Sequence, residues 1–76
     1  MKIEPFFLLL VDEDKREFAI LGPLADDRHW IDRACEAKQA GRRVRVIRGA
    51  TTVPKEVHAA AFAQQEGLTY VSNVPF

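Results

Sequence analysis

Residues Phe6 to Val11 read FFLLLV, an unbroken apolar run of six. So short a run fits a strand buried on both faces, since a helix needs about 10–12 residues to bury itself. It is also shorter than the roughly 7–15 residues of a signal-peptide core or the about 20 of a membrane span. The polar stretch Asp12 to Lys15 follows, and then a second apolar run, Glu17 to Leu21 (EFAIL). Two apolar runs around one short polar turn predict a β-hairpin. Gly22-Pro23 then interrupts the chain.

Beyond it, a helix is expected from about Asp26 to Ala40. Asp26 or Asp27 can accept hydrogen bonds from its first-turn N–H groups. Trp30, Ile31, Ala34, Cys35 and Ala37 would form its apolar side, with Trp30 as a core anchor. Arg28, Asp32 and Glu36 fall four apart on the solvated side, where Arg28 and Asp32 can pair. Gly41 suits the left-handed position after the last turn. Arg43 to Arg48 (RVRVIR) alternates charge with branched apolar residues, as does a strand with one wet face or a strand near an edge. Residues 49–53 are expected as a loop, with Thr52 capping a second helix from Pro54 to Glu66. Gly67 ends that helix, and Thr69 to Asn73 form a last strand.

The fold class is therefore α/β (α+β): one domain over 1–76, ordered ββαβαβ, with a four-stranded mixed sheet and two helices. Right-handed crossovers make the strands they join parallel. If the sheet grows in one direction after the hairpin, both helices fall on one face. Phe7, Leu9 and Val11, or their alternates Phe6, Leu8 and Leu10, would then lie on an uncovered apolar face, which on a monomer marks an interface. A domain of 76 residues has marginal stability without disulfide or metal, and self-association is one source of support. A homodimer, or a protein partner, is the expectation. The lone Cys35 excludes an internal disulfide and, with no export signal, points to a reducing cytoplasm.

Few residues suggest chemistry. Arg48, Gly49, Thr51 and Thr52 sit where a predicted strand meets a helix N-terminus, an edge at which α/β sheets bind anions. An anion or nucleotide-binding module there is the alternative to an interaction domain. The required spacing for a phosphate-binding glycine loop is absent. His29 and Cys35 lie six apart on one helix and point in different directions, and His58 lies on another. No metal, cofactor or catalytic constellation is expected, so the chain reads as non-enzymatic. The half over residues 1–38 carries −3 and the half over 39–76 carries +3, with zero overall. The basic cluster Arg42, Arg43, Arg45 and Arg48 lacks interleaved aromatics for stacking bases. Neutrality also gives little long-range attraction to nucleic acid. Pairing with Asp12, Glu13, Asp14 or Glu17 across the sheet, or contact with a protein through Arg43 and Arg45, fits these arginines better than nucleic-acid contact over 42–48.

The segment GPLADDRHW at 22–30, followed by Ala40-Gly41-Arg42, resembles a pattern in small bacterial proteins of plasmids and integrated elements. That resemblance implies no known activity. Val46-Ile47-Arg48-Gly49-Ala50, with a helix ending at Gly67, a strand and Pro75, is similar to the nucleotide-handling Rossmann-like folds of the lysine-decarboxylase-like superfamily. That second likeness implies a nucleotide site at the glycine loop, where this chain is poorer in glycine.

Overall fold

The computed structural model describes residues 4–76. Its elements are β1 (Phe6–Asp12), β2 (Glu17–Leu24), α1 (Arg28–Gln39), β3 (Val44–Ala50), α2 (Lys55–Glu66) and β4 (Thr69–Tyr70). The sheet order is β3-β1-β2-β4. The apolar run thus becomes the central strand β1, antiparallel to both β2 and β3, while β4 runs parallel to β2. The expected mixed four-stranded sheet with two helices is the architecture observed. β4 is shorter than its predicted span, and β3 extends through Gly49 and Ala50.

The two helices lie on opposite faces. The sheet grows both ways from the hairpin, so the condition for a shared face is not met. The β2–α1–β3 connection passes over β1 in one direction, and β3–α2–β4 returns over β1 and β2 in the other. Right-handed crossovers in opposite directions place their helices on opposite sides. On the odd-numbered face of β1, Phe7, Leu9 and Val11 pack with Phe18, Ile20 and Ala59, supported by Ile47, Phe62, Ala63 and Leu68. Phe7, Leu9 and Val11, expected on an uncovered face, are only 7%, 4% and 0% exposed. They lie in the core under α2 and offer no interface.

The even-numbered face holds Leu8, Leu10 and Asp12, all fully buried. Helix α1 packs there against β3, with Ala34 buried and Trp30 and Ala37 half-buried. These three follow i, i+4, i+7 spacing, a narrower inward stripe than the sequence suggested. Ile31 and Cys35 are exposed. Trp30 is half-buried rather than a core anchor, with His29 edge-on to its ring and Arg33 above it. After β4 the chain turns onto this same face, where Pro75 is buried. Its carbonyl accepts hydrogen bonds from Lys15 Nζ (3.1 Å) and Arg42 Nη2 (2.9 Å).

Local chemistry explains the helix ends. Asp27 occupies the N-cap position of α1 but makes no capping bond. Asp26 takes that work, its Oδ1 accepting from the Arg28 N–H at 2.8 Å. Arg28 pairs with Asp26 as well (2.7 Å), not with Asp32. Pro54, not Thr52, is the N-cap of α2. Gly67, at φ 67°, closes α2 in the left-handed conformation.

Candidate interaction edge

β3 is a strand because three of its seven residues, Val44, Val46 and Ile47, are β-branched, and branched side chains suit a pleated surface. Among the described residues it pairs only with β1, so its outer edge is open. Its backbone direction follows from one bond. Glu13 N–H donates to the Arg43 carbonyl at 2.9 Å. In an antiparallel ladder this orientation alternates. Arg45, Ile47 and Gly49 therefore turn their N–H and C=O groups toward β1. Val44, Val46, Arg48 and Ala50 turn theirs outward. The Ala50 carbonyl meets His58 Nε2 at 2.7 Å. The outward groups of Val46 and Arg48 have no backbone partner among the described residues.

The opposite edge is different. β4 covers Glu17 and Phe18, and farther along β2 comes Pro23, which has no N–H to offer an added strand. Gly22, at φ 128°, bends the strand there. A Cβ at Gly22 would stand 2.8 Å from the Phe6 carbonyl oxygen, so no other residue fits.

The arginines of β3 and its approach are neutralised by the chain's own carboxylates. Arg42 pairs with the buried Asp12. Arg43 Nε reaches Asp14 Oδ1 at 2.9 Å. Arg45 Nε lies 2.6 Å from Glu13 Oε1 without a well-aimed hydrogen bond, and its Nη2 is 3.8 Å from Glu66 Oε1. Arg48 donates through Nε (3.0 Å) and Nη2 (2.8 Å) to Asp27 Oδ2 and lies over the Phe6 ring at 4.3 Å. Cross-sheet pairing with Asp12, Glu13 and Asp14 is thus realised, and Asp27 supplies a fourth partner. Charge patterning alone gave no sign of the Arg48–Asp27 pair, which joins residues 21 apart in sequence.

Asp14 is held below its ordinary value of 3.8 by the Arg43 backbone N–H and then by the Arg43 guanidinium. A depressed carboxyl stabilises the fold above the unfolded-state value, and that contribution is lost as pH falls through the folded one. The Asp14 carboxyl is expected to titrate below pH 3.8 by carbon-detected NMR, and Arg43→Ala should raise it only part of the way, because the backbone N–H at residue 43 still donates to it. An unshifted Asp14 in the intact chain would mean that the pair does not persist in water.

The residues considered for an anion site do not converge. Arg48 points to the α1 face and is held by Asp27, whereas α2 starts on the other face. Gly49 lies under His58 and Leu9, since a Cβ there would stand 3.3 Å from Leu9 Cδ1 and 3.4 Å from His58 Cε1. Thr51 and Thr52 are exposed in the turn that follows. Near Gly49, a groove of about 290 Å³ separates β3 from α2, with Leu9 and Ile47 on one wall and His58 and Phe62 on the other. Among the described residues, no three His, Cys, Asp or Glu side chains gather to hold a metal ion. Nor is any helix there long and apolar enough to cross a membrane. Comparisons with protein-family models, with curated proteins and with solved structures found no match for this chain.

Proposed function

We propose that this chain is a non-enzymatic protein-interaction domain, and that it works by strand addition at the outer edge of β3. The open edge carries the reading. An extended chain laid beside β3 would meet the outward N–H and C=O groups of Val46 and Arg48. Main-chain bonds of this kind supply affinity, and alternate side chains find pockets beside the strand. The groove between β3 and α2 supplies one such pocket. Exposed edges are commonly defended by charge. Here the charges of Arg43, Arg45 and Arg48 are answered by Asp14, Glu13 and Asp27, which lowers the repulsion that an approaching strand meets. The cytoplasmic setting belongs to the same reading, supported by Cys35, an exposed thiol with no second cysteine to pair with. The grouping with small bacterial proteins of mobile elements is also part of it. The quoted residues of that pattern have structural duties: Gly22 in the bend, Asp26 at the helix start, Asp27 on Arg48.

Val46→Pro tests the function. It removes an outward N–H and no bond to β1, so the fold should survive. A binding partner retained by the natural chain should be lost by Val46→Pro, while a charge reversal at the solvated Glu36 of α1 should leave retention unchanged. Retention unaffected by Val46→Pro would overturn strand addition.

A further inference from the structure

We infer that the strand added to β3 is β3 of a second copy of this chain, antiparallel and centred on Ile47; this rests on the strand-addition reading. Two-fold pairing must set outward-turned residues against outward-turned residues, which leaves centres from Val44 to Arg48. Like charges directly opposite one another destabilise a sheet. A centre at Val44 sets Arg43 against Arg45. Centres at Arg45 and at Arg48 set each arginine against itself. Only Val46 and Ile47 avoid this.

The Ile47 centre pairs Val44–Ala50 with itself over its whole length. The Val46 centre would instead set Ala50 against Arg42, whose guanidinium is committed to Asp12 and Pro75. With Ile47 at the centre, Arg48 faces Val46 and Arg45 faces Gly49, the residue with no side chain to obstruct it. Ile47 faces its own copy in a non-hydrogen-bonded pair, the closer kind, at a Cα separation of about 4.5 Å. That apolar contact lies beside the groove lined by Leu9 and Phe62. A strongly acidic strand has less to gain, because the arginines already have carboxylate partners.

A single pair of edges makes a small interface, at the weak end of specific association. Sedimentation equilibrium should therefore extend to about 1 mM, enough to half-populate a dimer of millimolar dissociation constant. The mass should rise toward twice 8.6 kDa. Val46→Pro should remain at the single mass with an unchanged circular dichroism spectrum. In a Cys35→Ser background, Ile47→Cys should oxidise to a linked dimer, since facing residues of such a pair fall within disulfide reach. Val46→Cys should not.

A natural chain that stays monomeric at every concentration overturns self-pairing. Partner capture that Val46→Pro still abolishes would then leave strand addition standing, and capture that it does not affect would overturn both. A dimer that survives Val46→Pro overturns the β3 interface. Linkage through Val46→Cys but not Ile47→Cys overturns the Ile47 register.

Discussion

Alanine at Phe18 is expected to remove roughly half of the chain's stability at 25 °C. Phe18 is fully buried. Its ring meets Phe62 edge-on at 4.9 Å and Tyr70 at 5.5 Å. It is therefore the side chain through which β2, α2 and β4 touch one another. Truncating a buried phenylalanine to alanine costs about 3–5 kcal/mol in transfer and cavity terms. A domain of this length has about 4–11 kcal/mol to lose, at typical stability per residue. The expected result is a urea midpoint lowered by roughly half, with far-ultraviolet ellipticity lost at correspondingly lower urea. Val57→Ala, at a side chain 52% exposed, should move the midpoint little. A Phe18→Ala chain with the natural midpoint would mean that Phe62 and Tyr70 close over the vacancy.

The second large effect is expected at Asp12. Its carboxylate is fully buried and serves three partners. Oδ1 accepts from the Asp14 N–H at 3.0 Å and the Lys15 N–H at 3.1 Å, which fixes the hairpin turn. Oδ2 binds Arg42. Removing one member of a buried ion pair costs about 3–5 kcal/mol. Arg42 remains 35% exposed and can rehydrate, so Asp12→Ala belongs at the lower end. Asp12→Asn can keep the turn bonds while losing the charge, and should cost about 1–3 kcal/mol. Urea midpoints should therefore fall in the order natural, Asn, Ala. Equal losses would assign the whole effect to the Arg42 pair and none to the turn.

Which parts of this molecule could be read in advance follows from the range of the forces involved. The hairpin, both helices and β3 were legible because periodicity, turn residues and glycine stops act within a few positions. Gly67 and Gly41 marked the helix ends for that reason. The faces of the helices were not legible. FFLLLV has the same composition under a helix, under a tail or under another subunit, and only the reversal of sheet growth decides between them. Ile31 and Cys35 were misplaced because α1 rests lightly on the sheet, so a narrower stripe than its composition offers is enough. The arginine pairs with Asp12, Glu13 and Asp14 were legible in kind, since opposite charges flank neighbouring strands. Asp27 reads as a helix cap from its neighbours, and only the tertiary fold brings Arg48 to it. The open edge of β3 was half legible: alternation allowed an edge strand, and strand order identified it as one.

The central place of β1 sets a timetable for synthesis. The most apolar strand leaves the ribosome first, while both its pairing partners and both its covering helices come later in the chain. At about 5–20 residues per second, roughly 3–11 s separate the end of β1 from the appearance of Leu68, which completes the packing on its odd-numbered face. For that interval the nascent segment has no lasting shelter of its own making. Slow codons placed after β3 would lengthen its exposure, and a chaperone that holds short aliphatic segments would find its target in Phe6–Asp12.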